Sequence, residues 1–514
     1  MNRTGPFSMA ERISPAWTAR AWAVALALVC LLGLGVRLVD LTDPPLDFHA
    51  TRQLRSAIIA RSVFYRLESG ADPAVVEKAA NLAKLEEYEP PLLETLAGFI
   101  DHLLGAENFW VGRALNSLFW VLGGLALAAF ARRFAGPAAV LAGLCFYLFL
   151  PFSVTASRSF QPDPWMVTWI LFAALALYRW MEAPSWKWAL AAGLLSGMAV
   201  LVKAFAVFFI AGLWVGAVLG GRGWRQLLRS AQPWVIGLLA AAPALLVYLV
   251  SNPERSGSFF SFWVVSLSGL IRTSGFYADW LAMLKGLMGL VTVATALLGA
   301  LLAERKARAL LTGLWAGYAL FGLVFPYQYI THEYYHLALI PLAALSLVPL
   351  LDLVFQRLKS EALFWRLAAA GVVAFAAFYG LYVSRSSLVA ASYANEPASW
   401  AAVGAALPED RTFIALTGDY GMRLNYYGWR STSAAWPSAA DDRLSSLAGN
   451  AGQDFETSFQ ERTAGKDLFL VTALSEFDAQ PELKQKLTGG YPLLVEGNGF
   501  LIFDLTRPLA EAKP

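Results

Sequence analysis

The stretch Leu46-Asp47-Phe48-His49-Ala50-Thr51-Arg52-Gln53 sets a carboxylate, an imidazole and a guanidinium within six positions. It follows the first long apolar segment, so its chemistry lies beside a membrane. Asp47 can take a proton from a hydroxyl, and Arg52 can hold an anion. His49 and Gln53 can hydrogen-bond a polar ligand. A solvated loop of ordinary polar residues accounts for the same composition, so the stretch needs support from the rest of the chain.

Three further places carry chemistry. Ser157-Arg158-Ser159-Phe160-Gln161-Pro162-Asp163-Pro164 sets Arg158 and Asp163 at the start of an apolar segment. Asp163 there is either a helix cap, favoured by free backbone N–H groups and the helix dipole, or a second reactive carboxylate. Lys203 interrupts an apolar run and is costly to bury unless it meets an anion. Tyr327 to His336 contains His332-Glu333-Tyr334-Tyr335-His336, a formal H-E-x-x-H match that on an α-helix could bind zinc. No second motif supplies a third ligand, and the other histidines, His49 and His102, fall in the first loop. His332 and His336 serve equally to hydrogen-bond a departing phosphate. The acidic turn Glu86-Glu87-Tyr88-Glu89 offers a carboxylate to the site or to a metal, or is simply solvated.

The elements that position these residues are membrane helices. The 514 residues are 57% hydrophobic and only 15% charged, with a mean hydropathy of +0.51, whereas soluble domains carry about 25% charge. Apolar segments fall near 18–39, 109–131, 138–156, 164–181, 188–202, 204–220, 233–251, 280–303, 309–326, 334–355 and 365–384. These predict a polytopic α-helical membrane protein with eleven spans and an uncleaved first helix. Basic residues such as Arg132, Arg133, Arg179, Lys187, Arg225, Arg229, Arg305, Lys306, Arg357 and Lys359 fall in alternate loops. The positive-inside rule then places the N-terminus in the cytoplasm and the C-terminus outside. Under that orientation the long first loop (40–108), Ser153–Pro164, Ser251–Asp279 and Pro326–His336 share the outer face. The net charge of +3 is too small to suggest a nucleic-acid partner, and Cys30 and Cys145 lack metal-ligand spacing.

Within the first loop, Thr51 to Leu67 predicts an interfacial helix with Leu54, Ile58 and Tyr65 on one side and Arg52, Arg55 and Arg66 on the other. Its arginines either snorkel to lipid headgroups or cradle a lipid-linked phosphate; Arg61 breaks the pattern. Leu92–Leu104 is too short to span and suits the interface. The sequence divides into a membrane domain, 1–389, and a small α/β extracytoplasmic domain, 390–514. In the latter, strands are expected at Thr412–Leu416, Asp467–Thr472, Tyr491–Glu496 and Phe500–Asp504, with helices near Pro397–Leu407 and Asp478–Leu487. Thr417-Gly418-Asp419-Tyr420-Gly421 reads as a turn.

This combination resembles the membrane glycosyltransferases of the C superfamily (GT-C), in particular family 39, the bacterial relatives of protein O-mannosyltransferases and of the aminoarabinose transferase. The resemblance rests on Asp47 after the first helix, on His49-Ala50-Thr51-Arg52-Gln53, on Arg158 with Pro162-Asp163, and on His332-Glu333-Tyr334-Tyr335 before a late helix. Phe48 departs from it, since many relatives carry a second acid there. The resemblance implies a hexosyl or pentosyl transferase of the bacterial inner membrane. It implies a polyprenyl-phosphate-linked sugar as donor and an extracytoplasmic glycan, lipid or protein as acceptor. Asp47 would act as base, with Asp163 as the second catalytic carboxylate. Arg52, Arg158, Lys203, His332 and His336 would stabilise the leaving phosphate, and His49, Gln53, Glu89, Tyr334 and Tyr335 would contact substrate. The resemblance fixes no cofactor and leaves a divalent metal ion open. A lipid-linked sugar flippase, which needs no base beside its phosphate donors, and the zinc metalloprotease are the competing readings.

Overall fold

In a computed structural model, residues 18–85, 89–251, 253–432, 434–449 and 454–509 are described; the acidic positions Glu86 and Glu87 lie outside them. The chain forms two compact units. One comprises residues up to Leu41 together with Arg113–Ala391, the other Thr42–Gly112 together with Ser392–Pro514.

The first unit is a bundle of membrane helices. Among the described residues, six helices of the chain are long and apolar enough to cross a bilayer: Ala19–Arg37, Phe109–Ala131, Gln232–Ser251, Arg305–Val324, Glu333–Leu358 and Leu363–Leu388. Two bent pairs and the shorter apolar helices Trp186–Val202, Ala206–Gly220 and Leu290–Leu302 accompany them. The apolar windows of Ala19–Arg37 and Leu363–Leu388 are only 17% and 11% buried by protein. Helices this apolar and this uncovered need hydrocarbon around them.

Three expectations from the sequence need correction. The segment expected to span at 280–303 is broken at Gly289, whose φ of 83° ends the helix Ser274–Met288 and starts Leu290–Leu302. Glycine tolerates that backbone without strain. The outer loop expected at Ser251–Asp279 is instead mostly helical: Pro253–Phe260, a π turn at Ser261–Ser266 and a 3-10 turn at Ser268–Arg272. The expected span at 138–156 forms as Pro137–Phe149 and Pro151–Arg158, bent by 58°. Leu150, before a proline, is held extended at ψ 126°, as the proline ring requires.

The second unit joins a helical layer to a sheet. Helices Ala50–Leu67, Pro73–Lys84 and Leu92–Leu104 come from the first loop. Gly98 sits against the Ala60 carbonyl and the Val63 side chain, so a larger residue there would separate the first and third of these helices. The sheet has five strands in the order β2-β1-β3-β5-β4. They are β1 Phe413–Leu416, β2 Ala434–Ala435, β3 Leu468–Val471, β4 Leu493–Gly497 and β5 Phe500–Asp504. β1 runs parallel to β2 and β3; β5 is antiparallel to β3 and β4. Alternate side chains of β1 and β3 go to opposite faces. Ile414, Leu416, Phe469 and Val471 pack with Trp436, Phe459, Phe477 and Leu487. Phe413, Ala415, Leu468 and Leu470 pack with Val403, Leu407 and Leu424. Both faces are therefore covered, which is why these strands read as continuous apolar runs.

Candidate functional site

In the second unit, the reactive stretch is a short connector that leads into the helix Ala50–Leu67. Its start is tied down by Asp43, whose carboxylate accepts from the backbone N–H of Tyr393 at 3.0 Å and the Ser392 hydroxyl at 3.1 Å. Leu46 and Phe48 are buried and anchor the connector by apolar packing. His49 occupies the helix N-cap in a left-handed conformation (φ 45°) with no side-chain cap. Such backbone is sparsely populated away from glycine and persists only where its surroundings impose it. Asp47 is not the cap. Its Oδ1 accepts from Gln53 Nε2 at 3.1 Å, and the same amide donates to the Phe48 carbonyl at 2.8 Å. Gln53 is fully buried, so it fixes Asp47 from one helical turn inside.

The arginines of this helix are partnered within the unit. Glu89 bridges Arg52 at 3.2 Å and Arg55 at 3.0 Å. Arg61, the residue that broke the amphipathic pattern, donates to Glu107 at 2.7 Å and to the Tyr426 carbonyl at 2.6 Å. Its guanidinium lies over the rings of Tyr426 and Trp429. Arg61 is thus a structural tie. Burial of this helix on most sides leaves little of it for lipid contact. Glu94 is buried and accepts from Ser56 at 2.7 Å; burial raises its pKa above the usual carboxylate range.

In the first unit, two buried arginines and an asparagine build the segment that carries Asp163. Arg37 donates to the carbonyls of Gly33 and Leu148 and to the Ser157 hydroxyl. Arg158 donates to the carbonyls of Val39 at 2.6 Å and Asp40 at 2.9 Å. Asn116 Nδ2 donates to the carbonyls of Ser159 and Gln161 at 2.6 and 2.8 Å. Asp163 opens the helix Asp163–Glu182, yet makes no cap hydrogen bond. Its carboxylate instead takes Lys203 Nζ on both oxygens, at 2.9 and 2.7 Å. Lys203 also lies 5.5 and 5.3 Å from the ring centroids of Tyr334 and Tyr335, within cation–π range. Tyr334 is buried, and the His332 ring lies 5.5 Å from it. The unit therefore brings Asp163, Lys203, Tyr334, Tyr335 and His332 together from three distant stretches of sequence.

His336 stands apart from this cluster chemically. Nε2 lies 2.7 Å from the Tyr329 carbonyl and Nδ1 lies 2.7 Å from the Tyr318 hydroxyl. A carbonyl only accepts, so Nε2 carries the proton and Nδ1 accepts from Tyr318. The ring is fully buried and both its nitrogens are engaged. His332 precedes a 3-10 turn, Glu333–His336, so the two imidazoles do not share an α-helical face. No group of three or more metal-ligating side chains occurs among the described residues. Arg37, Asn116 and Gln161 were missed in the sequence. A buried arginine at the end of a span and an amide beside a Pro-Asp step are the signals they left.

Residues 88–250, less than half of the chain, match the family model described as dolichyl-phosphate-mannose-protein mannosyltransferase. A comparison with curated proteins gave no match. The fold is similar to that of ArnT from Cupriavidus metallidurans bound to undecaprenyl phosphate, with a TM-score of 0.58 at 16% identity over 95% of this chain and 98% of that one. The same protein in its apo state gives 0.57 at 18% identity over 94% and 98%. The Archaeoglobus fulgidus oligosaccharyltransferase in its apo form gives 0.54 at 11% identity, covering 93% of this chain and 74% of that one. The likeness to C-superfamily membrane glycosyltransferases thus holds in the fold, and a segment of the sequence carries a family match.

Proposed function

We propose that this protein is an integral-membrane glycosyltransferase that moves a sugar from a polyprenyl-phosphate donor to an extracytoplasmic acceptor. The observation that carries the reading is Asp47, a carboxylate aimed by the buried Gln53 from a strained connector at the head of an arginine-bearing helix. The family match over 88–250 and the fold shared with a protein that holds undecaprenyl phosphate support the donor class.

Asp47 takes the proton of an acceptor hydroxyl as its oxygen attacks the anomeric carbon. The bond from that carbon to the phosphate oxygen breaks, and the lipid phosphate leaves with the electron pair. Cations and hydrogen-bond donors stabilise the charge that grows there; Arg52, in the same unit as Asp47, is proposed for this role. With a base and no enzyme nucleophile, a single displacement inverts the sugar carbon. Glu89 sets the resting position of Arg52 and Arg55 and releases them to an incoming phosphate.

The test is mass spectrometry of envelope glycans from cells with and without the protein. A glycan, lipid or protein that loses one sugar in its absence, and regains it on complementation, supports the reading. Identical profiles, with a lipid-linked sugar accumulating on one membrane face, favour a flippase. We further propose a cytoplasmic N-terminus and an extracytoplasmic second unit. A reporter active only outside the cytoplasm, fused after Leu509, is then active, and one fused after Arg229 is silent.

A further inference from the structure

We infer that Gln161, fixed at its main chain by Asn116, is a hydroxyl-reading subsite for the sugar of the donor. The inference rests on the glycosyltransferase reading and adds a residue that the sequence did not single out. Gln161 is fully buried, yet neither Nε2 nor Oε1 of its side chain meets a hydrogen-bonding group among the described residues. Native structures leave few buried polar atoms in that state. Its segment is not free to turn and satisfy them. Arg158 pins one end to Val39 and Asp40, and Asn116 pins the carbonyls of Ser159 and Gln161. Pro162 and Pro164 fix the backbone on the other side. Two residues on, Asp163 is locked onto Lys203. The amide is therefore held two residues before the charged pair, with no hydrogen-bonding partner among the described residues.

The chemistry of the open atoms selects the ligand. Asn116 spends Nδ2 on two carbonyls, and its Oδ1 is buried with no partner among the described residues; Trp165 Nε1 is buried in the same condition. The segment thus offers two acceptors, Gln161 Oε1 and Asn116 Oδ1, alongside two donors, Gln161 Nε2 and Trp165 Nε1. An ionised phosphate has no hydrogen to give an acceptor. A sugar hydroxyl both gives and accepts, and adjacent hydroxyls match the donor and acceptor of one amide.

Gln161→Met keeps the side chain's length and removes both polar atoms. Three measurements on the full-length protein decide the matter. Without lipid, the thermal midpoint of the variant equals or exceeds that of the wild type, because a buried amide with no partner only destabilises. Sugar transfer, read from envelope glycans, falls about 10- to 100-fold, as expected for one or two lost hydrogen bonds to substrate. Binding of undecaprenyl phosphate, which carries no sugar, is unchanged. A lowered midpoint overturns the inference, since the amide then has a structural partner or a bound water. Unchanged transfer also overturns it. Equal loss of undecaprenyl phosphate binding assigns the amide to the phosphate and overturns it too. A wild-type protein that transfers no sugar defeats the underlying reading first, before any variant is compared.

Discussion

Lys203 and Asp163 form a salt bridge of 2.7 Å with each side chain only 2% exposed. The two residues lie 40 positions apart, one at the head of a helix and one where the helix Trp186–Val202 ends. A pair this buried has lost its hydration and depends on each partner. Asp163 therefore serves Lys203 in place of a helix cap.

That dependence gives the first prediction. Asp163→Asn leaves a buried ammonium without its counter-charge, a change that typically destabilises by ~3–5 kcal/mol. The double variant Asp163→Asn with Lys203→Met removes both charges and recovers most of the loss, since neutral replacement of a buried pair is often tolerated. Sugar transfer in the double variant stays below that of the wild type, because Lys203 no longer offers a cation. Thermal unfolding and glycan mass spectrometry of the three proteins check this. A double variant that recovers both stability and transfer would reduce the pair to a structural tie.

The second prediction concerns Glu333. In a metalloprotease it would be the base, and its loss would abolish activity. Here His336 is committed to Tyr318 and Tyr329, so Glu333→Gln leaves most sugar transfer in place. Metal analysis of the purified protein finds no stoichiometric zinc. Full loss of activity in Glu333→Gln, together with one bound zinc, would restore the metalloenzyme reading.

Hydropathy made the helices legible, because a bilayer demands apolar residues in runs of known length. The strands of the second unit were legible for a related reason: both faces of β1 and β3 are covered, so Phe413–Leu416 and Leu468–Val471 are wholly apolar. The break at Gly289 was not, since a glycine amid apolar residues is equally at home in a continuous helix. Asp47 could be singled out by its place after the first helix. Its dependence on Gln53 could be found only in three dimensions, because a glutamine six residues on is a weak signal. The association of Thr42–Gly112 with Ser392–Pro514 in one unit rests on contacts such as Asp43 with Tyr393 and Arg61 with Tyr426. No local pattern announces contacts across more than 300 residues.

Asp101 gives a pH dependence. Burial pushes its carboxyl up to about 7, against ~3.9 in an unfolded chain. The folded state thus keeps a proton that the unfolded state releases. Stability contributed at this site falls as pH rises from about 4 to about 7 and is level above that. Asp101→Asn cannot ionise and loses this slope. It raises the thermal midpoint more at pH 8 than at pH 4.5; an equal shift at both would show that Asp101 is not held neutral.

The last prediction is that Asp47 is the base. Asp47→Asn keeps the size of the side chain and an oxygen for the Gln53 amide, so the connector keeps its shape and the thermal midpoint changes little. The amide cannot take a proton, and loss of general-base catalysis alone slows a reaction ~10²–10⁴-fold. Arg52→Ala acts differently: it weakens donor binding and leaving-group stabilisation together, and it frees one side of Glu89. Gln53→Leu separates aim from chemistry. It leaves the carboxylate in place and removes the group that orients it, so transfer falls less than in Asp47→Asn. Transfer by each purified variant, measured beside undecaprenyl phosphate binding, gives the decision. Near-normal turnover by Asp47→Asn would move the search for the base to Asp163 or to Glu89, the carboxylate that holds Arg52 and Arg55.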